Sequence, residues 1–452
     1  MLFTSLSFLF YFLPFSLVIY WLLKPNFQIY WLLFVSILFY AISDLEHTHL
    51  LLISLVVNFG FGWAINKYKK YDKWLLYSSL FFNFGALIYF KYFNFILESF
   101  GQFSAQKIIL PIGISFLTFN IITYSVDIYR QKAKPFASFI DFATYITLFP
   151  HLIAGPIIEY KHIRDQILEV KKFNFDQVSA GIEIFILGFA KKILIANSMA
   201  SVVDKVFTAN TWNFGTAWIV MILYALQIYF DFSGYTDMAI GIAKMFGYNF
   251  PLNFNYPYIS KTVQEFWQRW HITLGTWFKN YIYIPLGGSR VAPWRVYANL
   301  MIVFLLTGIW HGANTTFVLW GILNGLFICF EKLFLNKVFA KIPNIFSHAY
   351  LLVAVLCSWV LFRAENLNQA RQLYASMLDF ANSPSVFGFW NKYMNAENTT
   401  FLVFGLVFST PIYQYIQKYL WVFKYLILAI IFAISLTYTI SNSYNPFIYF
   451  KF

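Results

Sequence analysis

Apolar runs of about 20 residues, the length that crosses hydrocarbon as a helix, follow one another along nearly the whole chain. They fall near Phe3–Leu23, Phe27–Ser43, His49–Ala64, Trp74–Phe90, Ile108–Ile128, Phe136–Ile157, Ile182–Met199, Thr216–Phe232, Val296–Ile309, Thr315–Phe334, His348–Phe362, Thr400–Tyr415 and Trp421–Ser441. A bilayer offers no water to backbone polar groups, so such runs fold as helices that bond internally. Only 11% of the residues are charged and 60% are hydrophobic, whereas a soluble domain carries roughly 25% charged residues. Several runs are short or polar for a full crossing. The expectation is an all-α polytopic membrane protein with eleven to thirteen membrane-embedded helices, re-entrant segments included. Residues 1–452 read as one membrane domain, because even the longest polar stretch, Arg363–Asn398, is rich in Phe and Trp.

The first run lacks a basic leader and a small-residue cleavage site, so Met1–Leu23 reads as a retained span. Cys329 and Cys357 sit singly in apolar runs, without disulfide or metal spacing, and read as small core residues. No metal is expected. The net charge of +13 would suggest nucleic acid if it were pooled on one surface. It is spread instead over short loops: Lys67, Lys69, Lys70 and Lys73; Arg130, Lys132 and Lys134; Lys161, Arg164, Lys171 and Lys172. These alternate with neutral or acidic loops such as Ser43–Glu46. Basic loops stay cytoplasmic, so the charge expresses topology and contact with membrane lipids rather than nucleic-acid binding. The same rule puts Lys24, Lys418 and Lys424 inside, Asp44 and Glu46 outside, and both chain termini on the extracytoplasmic face.

Ionisable residues at membrane depth are costly and mark function by default. In Tyr224–Asp237, the residues Tyr224, Gln227, Asp231 and Tyr235 are spaced by three, four and four, which places them on one helical stripe. Asp237 follows two residues on. The stripe must face the protein interior, either as a buried network that locks helices together or as the polar wall of a substrate channel. A second polar stretch holds Glu265, Trp267, Arg269, Trp270 and His271, then Asn280, Tyr281 and a Pro-Leu-Gly-Gly end at 285–288. It is too polar to span and too aromatic for a loop in water, so an interfacial or re-entrant segment buried in protein fits best. His271 alone would more often be a satisfied structural histidine than a catalytic one. The third stretch is Gly308-Ile-Trp310-His311-Gly312-Ala-Asn314. Its glycines permit close approach of another chain or a ligand, and an imidazole suits proton transfer near neutral pH. A Trp-His pair occurs in both motifs.

These stretches, together with Leu110–Phe116 and Phe149–Pro156, resemble the membrane-bound O-acyltransferase superfamily. The resemblance is specifically to its bacterial branch of alginate and peptidoglycan O-acetyltransferase membrane subunits and teichoic acid D-alanyl transfer subunits. The motifs occur in the expected order over most of Met1–Lys332. The resemblance implies a helical ring around a thin centre, with a tunnel reaching the catalytic histidine from both faces of a bacterial cytoplasmic (inner) membrane. It also implies that His311 is the catalytic histidine and His271 the second histidine of that branch. His271 is expected to position the donor or stabilise the oxyanion beside Trp310 and Asn314. Trp267, Arg269, Trp270, Asn280 and Tyr281 would line or support the tunnel, with Gln227, Asp231, Tyr235 and Asp237 behind them.

The last six residues, Phe447-Ile-Tyr449-Phe-Lys-Phe452, put a solitary phenol beyond the final apolar run. They resemble the end of the small membrane peptide of the teichoic acid system, whose tyrosine accepts the acyl group. The expectation is an acyl-carrier tail on the extracytoplasmic side. No carrier-protein docking surface is readable, which favours acetyl-CoA as donor over a D-alanyl carrier. An extracytoplasmic SGNH-type O-acetyltransferase partner would finish the transfer. High aromatic and lysine content with little alanine points to an AT-rich genome and so to peptidoglycan as acceptor; alginate or another exported polysaccharide is the alternative. A non-enzymatic transporter would also bury polar residues, but no inverted repeat is evident and the tail would go unexplained.

Overall fold

The computed structural model of the protein describes residues 1–99, 108–381, 386–419, 421–441 and 444–446. Among the described residues every regular element is helical. Seven helices among these residues are long and apolar enough to cross a membrane: Pro25–Ser43, Thr48–Lys67, Asp72–Glu98, Phe214–Met245, Thr315–Phe339, Asn344–Arg363 and Trp421–Ser441. Most of the apolar runs fall on a helix of similar bounds. Phe136–Ile157 differs, for it divides into Phe139–Thr147 and a short Phe149–Leu152. Pro150 has no N–H to bond back into the preceding turn, so the helix cannot run through it.

The chain groups into two compact units, Met1–Phe185 with Tyr235–Pro251, and Ile186–Gly234 with Leu252–Phe452. The first unit uses polar side chains as ties between apolar helices. Asn58 and Asn83 exchange amide hydrogen bonds at 3.1 and 2.8 Å, joining Thr48–Lys67 to the following span. At Gly62 the Tyr124 ring lies so close that an added Cβ would meet it at 2.2 Å. His151, from the Phe149–Pro156 motif, is fully buried and satisfied: its Nε2 donates to the Tyr145 carbonyl at 3.0 Å, and its Nδ1 accepts from the Asn120 amide at 3.2 Å. It is a structural histidine.

The second unit is organised around a hairpin of Pro293–His311 and Thr315–Phe330. Two glycines let these helices meet backbone to backbone. A Cβ on Gly308 would stand 2.4 Å from the Phe317 carbonyl oxygen, and one on Gly321 would stand 2.4 Å from that of Phe304. The glycines of the third motif therefore admit a neighbouring helix. Beside the hairpin, Trp270, Trp320 and Trp359 form an aromatic core, with Trp270 and Trp359 centroids 5.0 Å apart. Wide π-type turns interrupt the α-helical rods at Lys191–Ala196, Lys279–Tyr283 and Glu331–Leu335.

Candidate active site

His271 sits at a break between two short helices, Val263–Arg269 and Ile272–Phe278, as an interrupted, protein-buried segment requires. Its backbone is left-handed, φ 45°, which costs a residue with a Cβ roughly 1–2 kcal/mol. Bonds on either side hold that geometry: Asn255 N–H donates to the Arg269 carbonyl and Ile272 N–H to the Asn253 carbonyl, both at 2.9 Å. The start of Val263–Arg269 is fixed by the buried Glu331 carboxylate, which accepts from the backbone N–H of Val263 at 2.5 Å and of Gln264 at 2.9 Å.

Asn253 sets the tautomer of His271. Its Oδ1 accepts from the Thr273 backbone N–H at 3.2 Å and the Thr273 hydroxyl at 2.9 Å, so this atom is the amide oxygen. The His271 Nδ1, 3.0 Å away, must then carry the proton. Nε2 keeps its lone pair and has no hydrogen-bond partner among the described residues. Burial holds the imidazole below the usual histidine range, which favours this neutral form. An oxyanion donor would need N–H at Nε2, so this tautomer suits accepting a proton or a hydrogen bond instead.

His311 ends its helix, 3% exposed. The helix stops there because Gly312 is extended and Asn314 caps the next helix, its Oδ1 accepting from Thr316 N–H at 3.1 Å. The Asn314 amide donates to the Glu365 carbonyl at 2.9 Å, so that side chain is committed to the turn. The His311 ring is boxed by Trp310, Phe362 and Trp320 with centroids at 4.8, 5.0 and 5.1 Å. Trp310 also neighbours His271, at 6.3 Å.

Both imidazoles line one cavity of about 480 Å³. Leu300, Val303, Phe304, Thr307 and His311 form one wall, and their spacing makes a single helical stripe that rises about 16 Å. Lys279 and Lys332 also line the cavity, as do Trp267 and Trp270. The Trp267 indole N–H donates to Asn324 Oδ1 at 3.2 Å. Arg269 is outside the lining, engaged with Glu265 at 2.9 Å and the Asn255 carbonyl at 3.2 Å. Asn280 and Tyr281 lie in the wide turn without bordering the cavity, and Tyr281 packs on Trp277 at 5.4 Å.

The stripe on Phe214–Met245 is buried, as its spacing predicts. Asp231 forms a buried ion pair with Lys192 at 2.6 Å, and Gln227 is 4% exposed. Tyr235, stacked on Phe3 at 4.7 Å, and the half-buried Asp237 belong to the first unit. Tyr449 and the rest of Phe447–Phe452 lie outside the described residues.

Sequence reasoning missed Asn253, Glu331, Lys192, Lys279 and Lys332. Glu331, Lys332 and Lys192 carried a usable signal, since each is a charge inside an apolar run; the other two carried none. Replacing Glu331 by Ala orphans two backbone donors, the one on Val263 buried, at about 1–3 kcal/mol. A lower unfolding temperature together with weakened acyl transfer is the expected result, and unchanged stability would contradict the capping role.

Residues 39–368 match MBOAT, the membrane-bound O-acyltransferase family. The probable alginate O-acetylase AlgI of Azotobacter vinelandii is 39% identical over 395 residues, covering 84% of this chain and 79% of that protein. Its counterpart in Pseudomonas putida is 35% identical over 487 residues and covers 100% of both chains. The peptidoglycan O-acetyltransferase of Helicobacter pylori is 33% identical over 462 residues, covering 92% of this chain and 87% of that protein. With seven apolar helices among its described residues and paired histidines on one cavity, the chain belongs to the membrane-bound O-acyltransferase family and is a multi-pass membrane acyltransferase.

Proposed function

We propose that the protein moves an acetyl group from cytoplasmic acetyl-CoA across the inner membrane for O-acetylation of peptidoglycan. The observation that carries this reading is the shared cavity, lined by His271 and His311 and by Lys279 and Lys332. Two ammonium groups suit a phosphate-bearing donor, and basic loops mark the cytoplasmic side. The stripe from Leu300 to His311 gives a slender thioester arm an apolar path to the imidazoles.

His311 acts as general base. The phenol oxygen of Tyr449 attacks the acetyl carbonyl while its proton passes to the imidazole. The C–S bond then breaks, and the departing thiolate takes that proton to leave as coenzyme A thiol. His271, with its Nε2 lone pair, accepts a hydrogen bond that orients donor or acceptor. The acyl-tyrosine then hands its acetyl group to an extracytoplasmic SGNH-type transferase, which esterifies the glycan. Alginate or another exported polysaccharide is the second reading, favoured by the higher identity to the alginate O-acetylases. Intact-mass analysis of the purified protein after incubation with radiolabelled acetyl-CoA tests donor and intermediate together. One acetyl group on Phe447–Phe452 is expected; its absence under turnover would remove the covalent carrier.

A further inference from the structure

Residues 444–446, just before the proposed carrier segment, are held by three separate side-chain contacts in the second unit. The Tyr444 hydroxyl bonds to one carboxylate oxygen of Asp204, whose other oxygen binds Arg363 at 2.8 Å. The Arg363 guanidinium also lies over the Phe207 ring at 4.1 Å. Asn197 donates to the Asn445 side chain at 3.3 Å. The Pro446 carbonyl accepts from Lys192, the same ammonium that pairs with buried Asp231.

The level of this anchor follows from the helix order. Pro293–His311, Thr315–Phe339 and Asn344–Arg363 are consecutive helices joined by short turns, so the ends at His311 and Arg363 lie on the same side. The bond from Asn314 to the Glu365 carbonyl joins those ends directly. Arg363 is in turn the residue that shares Asp204 with Tyr444. Residues 444–446 are thus fastened at the side of the unit where the His311 helix ends.

We propose that Lys192, Asn197 and the Asp204–Arg363 pair form a latch that holds residues 444–446 and thereby positions Tyr449 for loading. This rests on the carrier reading above. Tyr449 is three residues beyond Pro446, so a fixed Pro446 confines its backbone to within about 10 Å. Without the latch the nearest fixed point would be Ser441, where the last described span ends, eight residues before Tyr449. Confinement of this kind raises the frequency of productive encounters without adding a contact to the acyl group. Lys192, Asn197, Asp204 and Arg363 are positioning residues, since none of them touches the reacting atoms.

The test compares loading in cis and in trans by the full-length chain in detergent. Tyr444→Phe combined with Asn197→Ala should slow acetyl loading of Tyr449 at least about tenfold. A second variant keeps the latch and inserts three residues between Pro446 and Phe447, and its loading should fall as well. In a Tyr449→Phe background, acetylation of an added Phe-Ile-Tyr-Phe-Lys-Phe peptide should be the same with and without the latch changes. Unchanged loading of Tyr449 in the latch variant would overturn the latch, as would a parallel loss of peptide acetylation. Failure of the unaltered chain to load Tyr449 would instead overturn the carrier reading.

Discussion

His311→Ala is expected to abolish acyl transfer while the protein still folds. A positioned general base is typically worth 10²–10⁴-fold, and the imidazole stands at a helix end where its loss leaves backbone bonding intact. Its neighbours Trp310, Trp320 and Phe362 are held by their own packing, so truncation should leave a small void rather than a collapsed site. Initial rates of label transfer from acetyl-CoA, with thermal unfolding as the control, make the measurement. More than a tenth of the unaltered rate would remove His311 from the mechanism. His271→Ala should cost less, because that residue orients rather than deprotonates. Equal and complete loss in both variants, at normal stability, would point to a dyad in which the His271 Nε2 shares the proton.

Tyr449→Phe should eliminate glycan O-acetylation in cells while leaving protein abundance unchanged. The substitution removes one oxygen and keeps an aromatic ring, so any role as an interfacial anchor survives. A phenol has a pKa near 10, and its ester therefore releases the acyl group more readily than a serine ester would. That lability suits a carrier that is loaded on one side and unloaded on the other. The readout is ester-linked acetate released by mild base from purified cell-wall material. Near-normal acetate would leave the segment as an anchor and make transfer direct.

The helices were legible because each run must satisfy its own backbone in lipid; only chain punctuation such as Pro150 altered the pattern. The two histidines were legible for a different reason, since charges and imidazoles amid aromatic sequence stand out. What fixes their chemistry was not. Asn253 sets the His271 tautomer from 18 positions upstream, and Glu331 caps the His271 segment from 68 positions beyond Val263. Neither separation follows a local period, so no spacing rule could have paired them. Asn314 shows the converse: adjacency to His311 suggested a part in the site, yet its side chain caps Thr315–Phe330 and bonds to Glu365. The wide turns were equally invisible, because neither Lys279–Tyr283 nor Glu331–Leu335 holds a Pro or Gly that would mark a change of helical turn.

Those wide turns have a consequence for how such chains can vary. Each is in effect a single-residue insertion absorbed within a helix. In the second unit they carry Lys192, Lys279 and the adjacent pair Glu331 and Lys332. Deleting one residue from such a turn would restore an ordinary helix and leave the helix beyond it facing as before, but shift the side chains within the turn by one position, about 100°. At Glu331–Leu335 the rod would survive while its registration with Val263 or with the cavity was lost. Alignments of related chains that shift a gap by one residue here would therefore exchange a capping carboxylate for a cavity lysine, although the hydropathy profile stayed the same.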